Sequence, residues 1–96
     1  MTFDVKVRNT ADAFIGAVPE KSRRIIKSAL ERLEENPFCG SGGDKEKLDL
    51  GAGREIYRIH IARTYTAFYS VDKENRIVKV HDILTIGQAH KKYGRL

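Results

Sequence analysis

Residues 54–86, REIYRIHIARTYTAFYSVDKENRIVKVHDILTI, decide the fold. Ile, Val, Tyr and Thr dominate this stretch, and such side chains suit a pleated, half-buried surface. Two short polar interruptions divide it. Ala62-Arg63 has the length of a hairpin connection, and Asp72-Lys73-Glu74-Asn75 has the composition of a four-residue loop. The stretch therefore predicts three strands, at about 54–61, 64–71 and 76–86, paired as an antiparallel meander.

Side chains alternate along a strand, so Tyr57, Ile59 and Ile61 share one face of the first of these strands and Ile56, Arg58 and His60 the other. The apolar trio belongs in a core. Arg58 and His60 then project together from the opposite face, roughly 6 to 7 Å apart at ~3.3 Å per residue. On the next strand, Tyr65, Ala67, Tyr69 and Val71 alternate with Thr66, Phe68 and Ser70, and periodicity does not decide which set is inside. In the last strand Val78, Val80, Leu84 and Ile86 share their parity with Asp82, an imperfect alternation that admits a bulge near His81-Asp82. Adjacent strand residues point in opposite directions, so His81 and Asp82 are read as structural or solvated rather than as a catalytic pair.

Working back toward the N-terminus, Phe3, Val5 and Val7 alternate with Asp4, Lys6 and Arg8, the period-2 pattern of a further strand. Asn9 and Thr10 offer N-cap side chains before a short helix over Ala11–Ala17 that ends ahead of Pro19. From Pro19 to about Asn36, Ile25, Ile26, Ala29, Leu30 and Leu33 recur at helical spacing, with charged residues on the opposite side. The glycine-rich segment CGSGGDKEK, residues 39–47, reads as a mobile loop. Gly87 introduces a short polar tail, Gln88 to Leu96. The predicted architecture is α+β, in the order β-α-α-β-β-β: two helices packed on one face of a small antiparallel sheet, the other face largely open, in a single domain over 1–96.

Ninety-six residues, 41% of them hydrophobic, suffice for one core. No apolar run approaches the roughly 18 residues of a membrane span, and the N-terminus has no signal-like apolar region, so a soluble cytoplasmic protein with no membrane partner is expected. Cys39 is the lone cysteine, without Cys or His neighbours at zinc-site spacing, and reads as a small hydrophobe beside Phe38. The net charge of +5 is uneven. Residues 1–53 carry nine Lys/Arg against nine Asp/Glu, and residues 54–96 carry nine against four. That asymmetry favours an acidic partner, nucleic acid or an acidic protein segment, over a membrane.

The order of elements, together with the segment IYRIHIARTYTAFYSVDKENRIVKVHDILTIGQAHKKY, resembles the RelE/ParE superfamily of toxins. Tyr57-Arg58-Ile59 is similar to the family's YR(I/L) strand, Tyr69-Ser70-Val71-Asp72 to its Y-x-V-D, and Ile86-Gly87 followed by Tyr93 to its V-G-(H)-R-x-x-x-Y ending. The resemblance spans nearly the whole chain. It implies an endoribonuclease that cleaves mRNA in the ribosomal A site without a metal, cofactor or small-molecule substrate, and that a cognate antitoxin holds inactive. Arg58 and His60 fall where RelE-type enzymes place basic residues, and Tyr93 falls on the C-terminal tyrosine. By this resemblance Arg58 stabilises transition-state charge, His60 serves as base or acid, Tyr93 stacks on a base or assists proton transfer, and His90 is a second candidate acid. Arg54, Arg63, Lys91 and Lys92 are candidate RNA contacts. So are Lys45 and Lys47, whose alternation with Asp44 and Glu46 reads equally as self-neutralisation.

The chain departs from the family pattern at two places. The arginine that often follows the third-strand tyrosine is Thr66 here, and the tail's usual arginine, two positions after the glycine, is Ala89. Two other readings therefore stand beside the ribonuclease: a non-catalytic inhibitor of DNA gyrase of the ParE kind, and a RelE-fold module that binds nucleic acid without toxicity.

Overall fold

The computed structural model describes residues 2–38, 45–49 and 55–93, with the side chains of residues 49, 55, 90, 92 and 93 left out of the description. Eight elements follow in order: β1 (Asp4–Val7), α1 (Asn9–Ala17), α2 (Glu20–Glu35), β2 (Lys45–Asp49), β3 (Glu55–Ile61), β4 (Tyr65–Asp72), β5 (Ile77–Thr85) and α3 (Ile86–Tyr93). The strands form one sheet in the order β1-β5-β4-β3-β2. The predicted meander is there, β3 to β4 to β5, with antiparallel registers Tyr57↔Tyr69 and Phe68↔Asp82. The α+β class holds.

Three details differ from the sequence reading. The sheet is mixed, because β1 runs parallel to β5, with Lys6 opposite Lys79 and Val7 opposite Val80. The α1–α2 pair carries the chain across the sheet after β1, and the free edge of β5 is what β1 pairs with. Lys45–Asp49, read as part of a mobile loop or its border, is an edge strand antiparallel to β3, with Glu46 opposite Arg58. Its charged composition hid it, yet charged side chains are what an exposed edge tolerates; residues 39–44 lie outside the described residues. The polar tail begins as helix α3. Thr85 and Gln88 cap its start reciprocally, Gln88 N–H donating to Thr85 Oγ1 at 3.2 Å and Thr85 N–H to Gln88 Oε1 at 3.0 Å. This is the capping box that the T-x-x-Q spacing encodes.

The helix-side core holds Ala11, Ile15, Ile26, Ala29, Leu30 and Leu33 against Tyr57, Ile59, Ile61, Ala67, Tyr69, Val78, Val80 and Ile83. Periodicity left β4 undecided, and Tyr65, Ala67 and Tyr69 turn out to be the inward set. Tyr57 and Tyr69 stack with centroids 5.5 Å apart, and the Tyr69 hydroxyl donates to the Pro37 carbonyl at 2.6 Å, tying the end of α2 to the sheet. Arg23 closes α1: its guanidinium donates to the carbonyls of Ile15, Gly16 and Val18 at 3.1, 3.2 and 3.3 Å, groups the helix end leaves without intrahelical partners. Asn9 and Thr10 were expected as caps, but both lie inside α1. Its N-cap is Arg8, without a side-chain cap bond, and the Thr10 hydroxyl donates instead to the His81 carbonyl at 3.1 Å.

Candidate nucleic-acid site

Arg58 sits where parity predicted, opposite in direction to Tyr57, Ile59 and Ile61, yet it does not project into solvent. Its side chain is only 8% exposed and forms an ion pair, Arg58 Nη2 with Glu46 Oε2. Arg58 Nε is buried with no hydrogen-bond partner among the described residues. Across the same face, its β4 neighbours Thr66 and Phe68 are 2% and 1% exposed. The face turned away from α1 and α2 is thus covered at its centre rather than open. The sequence reading missed this because it had no β2 to supply Glu46 and no α3 to pack against β4 and β5.

His60 is half-buried opposite Thr66, which in turn pairs with Leu84 one residue before the start of the α3 cap at Thr85. His60 and Arg58 therefore share a face and flank the region where the last helix begins. Arg63 occupies an exposed turn between β3 and β4, held with Ala62 in the left-handed backbone region at φ 60° and 52°. Lys91 is exposed on α3. Lys45 donates to the Asn36 carbonyl at 2.8 Å, so its ammonium ties β2 to the end of α2, while Lys47 is exposed and engaged. Arg54 lies outside the described residues, and so do the side chains of His90, Lys92 and Tyr93. The backbone places those three on α3.

The two family departures have a structural reason. Thr66 Oγ1 donates to the Ile59 carbonyl at 3.3 Å inside the sheet, and Ala89 is 5% exposed on the packed side of α3. Both side chains are packed rather than exposed.

A second basic group, not foreseen from sequence, lies on the same face toward the opposite edge of the sheet. Lys6, Val7, Arg8 and Lys79 line an open cleft of about 390 Å³ between β1 and β5. The strand register shifts between β4 and β5 at Phe68/Tyr69, opposite Asp82 and Val80, and the extra residue is His81. The bulge admitted by the imperfect alternation is present. It turns the imidazole toward Ser70, with Nε2 2.9 Å from the Ser70 hydroxyl. Burial holds the His81 imidazole below the usual histidine range, cationic Arg8 and Lys79 lower it further, and Asp82 opposes them. The alternation of Lys6 and Arg8 was legible in the sequence; the parallel pairing that brings them to Lys79 was not. Among the described residues no three His, Cys, Asp or Glu side chains group closely enough to hold a metal ion, and no helix is long and apolar enough to cross a membrane.

An α+β fold with a five-stranded mixed sheet and two helices on one face matches solved RelE structures. The structure is similar to the toxin in the archaeal RelE-RelB complex from Pyrococcus horikoshii, at TM-score 0.76 and 26% identity over 93% of this chain and 100% of that one. It is also similar to a chain of the RelBE2 toxin-antitoxin complex from Mycobacterium tuberculosis (0.70, 16%, 88% and 99%) and to the isolated E. coli RelE toxin (0.59, 18%, 95% and 98%). Comparison with curated protein sequences finds no match. The profile of the ParE toxin of the type II toxin-antitoxin system, parDE, matches residues 6–89, and the chain belongs to this RelE/ParE family of type II toxins.

Proposed function

We propose that this toxin is a ribosome-dependent, metal-independent mRNA endonuclease that represses translation in the cytoplasm and is silenced by a cognate antitoxin. The observation that supports it best is the pairing of a guanidinium and an imidazole, Arg58 and His60, two residues apart on the sheet face turned away from α1 and α2. Cleavage by the 2′-hydroxyl forms a bond from O2′ to phosphorus and breaks the bond to O5′. It needs a base for the O2′ proton, positive charge on the phosphorane and a donor for O5′. His60 is suited to the proton and Arg58 to the charge, once substrate phosphate replaces Glu46 as its partner. His90 and Tyr93 are the candidate donors on α3. The antitoxin partner is supported by the RelE-RelB and RelBE2 assemblies in which the similar toxins were captured.

A second reading has an observation of its own. The matching profile is that of the ParE toxin, and the two positions where the family often carries arginine are sealed by Thr66 and Ala89, which suits a non-catalytic inhibitor of DNA gyrase. Induced expression with pulse labelling separates the two. The ribonuclease reading expects protein synthesis to stop first, with translated mRNA acquiring 2′,3′-cyclic phosphate ends. A halt in DNA synthesis with intact mRNA would establish the gyrase reading instead.

A further inference from the structure

We propose that the cleft between β1 and β5, formed by Lys6, Arg8 and Lys79 beside the Ser70–His81 pair, binds a phosphodiester group of single-stranded RNA. This site lies apart from Arg58 and His60 and deepens the ribonuclease reading, on which its choice of RNA rests.

The cleft follows from alternation and register. Val5 and Val7 pack against the core, so Lys6 and Arg8 point the other way, and parallel pairing sets Lys6 directly across from Lys79. Lys79 in turn faces Ser70 on β4, and the bulge delivers His81 to the same side. Like charges placed opposite each other on neighbouring strands destabilise a sheet. None of Lys6, Arg8 and Lys79 forms an ion pair with a described residue. Of the acidic groups nearby, Asp4 shares the side of β1 with Lys6 and is exposed, Asp72 is held by Asn75 through bonds of 2.8 and 3.1 Å, and Asp82 lies beyond the bulge. Among the described residues these three cations form no ion pair, the Asp72 carboxylate acting on Lys79 only through space, and a bound anion relieves the repulsion that remains.

The lining selects the kind of anion. An acidic peptide gains its affinity from apolar anchors or strand addition. Among the described residues the lining is cationic apart from Val7, whose side chain packs toward the core, so the cleft offers no apolar anchor. Phosphate contacts ask only for cations and hydroxyl or N–H donors, which is what the cleft holds. The position suits a strand that also reaches Arg58. Ser70 and Phe68 share one face of β4, and Phe68 pairs with Arg58. From β3 to β1 is three strand spacings, roughly 14 Å at ~4.8 Å each, a span of a few nucleotides. With Thr66 and Ala89 packed inside, this cleft supplies the phosphate-binding charge that those positions lack.

The test measures binding of a fluorescein-labelled oligouridylate to the purified chain by anisotropy over a range of salt. Each phosphate contact to a single strand contributes about −0.7 to the slope of log K against log salt. The triple variant Lys6→Gln, Arg8→Gln, Lys79→Gln is expected to flatten the slope by about 0.7, the share of one phosphate. A matched variant on α2, Lys21→Gln, Arg24→Gln, Lys27→Gln, is expected to leave it unchanged, with folding of both checked by circular dichroism. Equal slopes in the cleft variant and the wild type overturn the proposal, and so does equal flattening by the α2 variant. A decaglutamate peptide that loses binding in the cleft variant while RNA keeps its slope assigns the cleft to a protein partner and likewise overturns it. Arrest assays run in parallel keep the two proposals apart. An unchanged slope with mRNA cleavage intact removes the cleft alone, and a flattened slope in a chain whose wild type cleaves no translated mRNA removes the ribonuclease alone.

Discussion

Replacing Glu46 with alanine leaves the Arg58 guanidinium in place without its counter-ion. Arg58 is 8% exposed and Glu46 48% exposed, so the pair stands between the buried and the solvated limits. Breaking a fully buried pair from one side destabilises by about 3–5 kcal/mol, whereas exposed pairs contribute about 0.2–1 kcal/mol. Half-exposure of the carboxylate places Glu46→Ala near 2 kcal/mol, roughly midway. For a domain of this size that lowers Tm by roughly 8–16 °C. Arg58→Met removes the charge together with its need for a partner, fills similar space and eliminates the unpartnered Nε; it is expected to remain within about 1 kcal/mol of wild type. In the Arg58→Met background, Glu46→Ala should then have little effect. Urea unfolding of the four proteins completes the cycle. If Glu46→Ala proves no more destabilising than Arg58→Met, or keeps its full effect without Arg58, then the guanidinium is not held by Glu46 and the account of the site's centre is wrong. The same variants bear on function, since Arg58→Met is expected to fold normally and yet lose growth arrest.

The other predictions are more local. His81 binds its proton less readily in the native state than in the unfolded chain, where its pKa is about 6.5. Its contribution to stability is therefore complete above that pH and lost as pH falls below it, because there the unfolded chain binds more protons. Urea midpoints measured from pH 7.5 down to 5.5 should decline less steeply in His81→Gln than in wild type, and parallel declines would refute this. Arg23→Gln strips the carbonyls of Ile15, Gly16 and Val18 of their donor, and a loss of about 1–2 kcal/mol in chemical denaturation is expected. Ala62 holds φ at 52°, so Ala62→Gly should relieve roughly 1–2 kcal/mol of left-handed strain against ~0.5–1 kcal/mol of added chain entropy. A raised urea midpoint is the outcome that agrees, and a lowered one refutes the assignment of strain to that turn.

Much of this molecule was legible in side-chain periodicity. The period-2 runs at 3–8 and 54–86 and the 3.6-residue pattern at 19–36 each carry an apolar face that must be buried, and burial of those faces determines the element order, the meander and the inward direction of Tyr57, Ile59 and Ile61. The broken parity at His81-Asp82 announced the bulge. What the sequence withheld is what depends on partners distant along the chain. Lys45–Asp49 has no apolar period, and becomes a strand because the edge of β3 offers it backbone hydrogen bonds. That pairing, and not any feature of residues 56–60, brings Glu46 onto Arg58 and turns a predicted solvent-facing charge into a buried one. Parallel pairing of β1 with β5 likewise joins Lys6 and Arg8 to Lys79 across seventy residues of chain. Alternation fixes the side on which a residue points, a local property. Which charges meet there is set by strand order and register, and these are properties of the folded sheet alone.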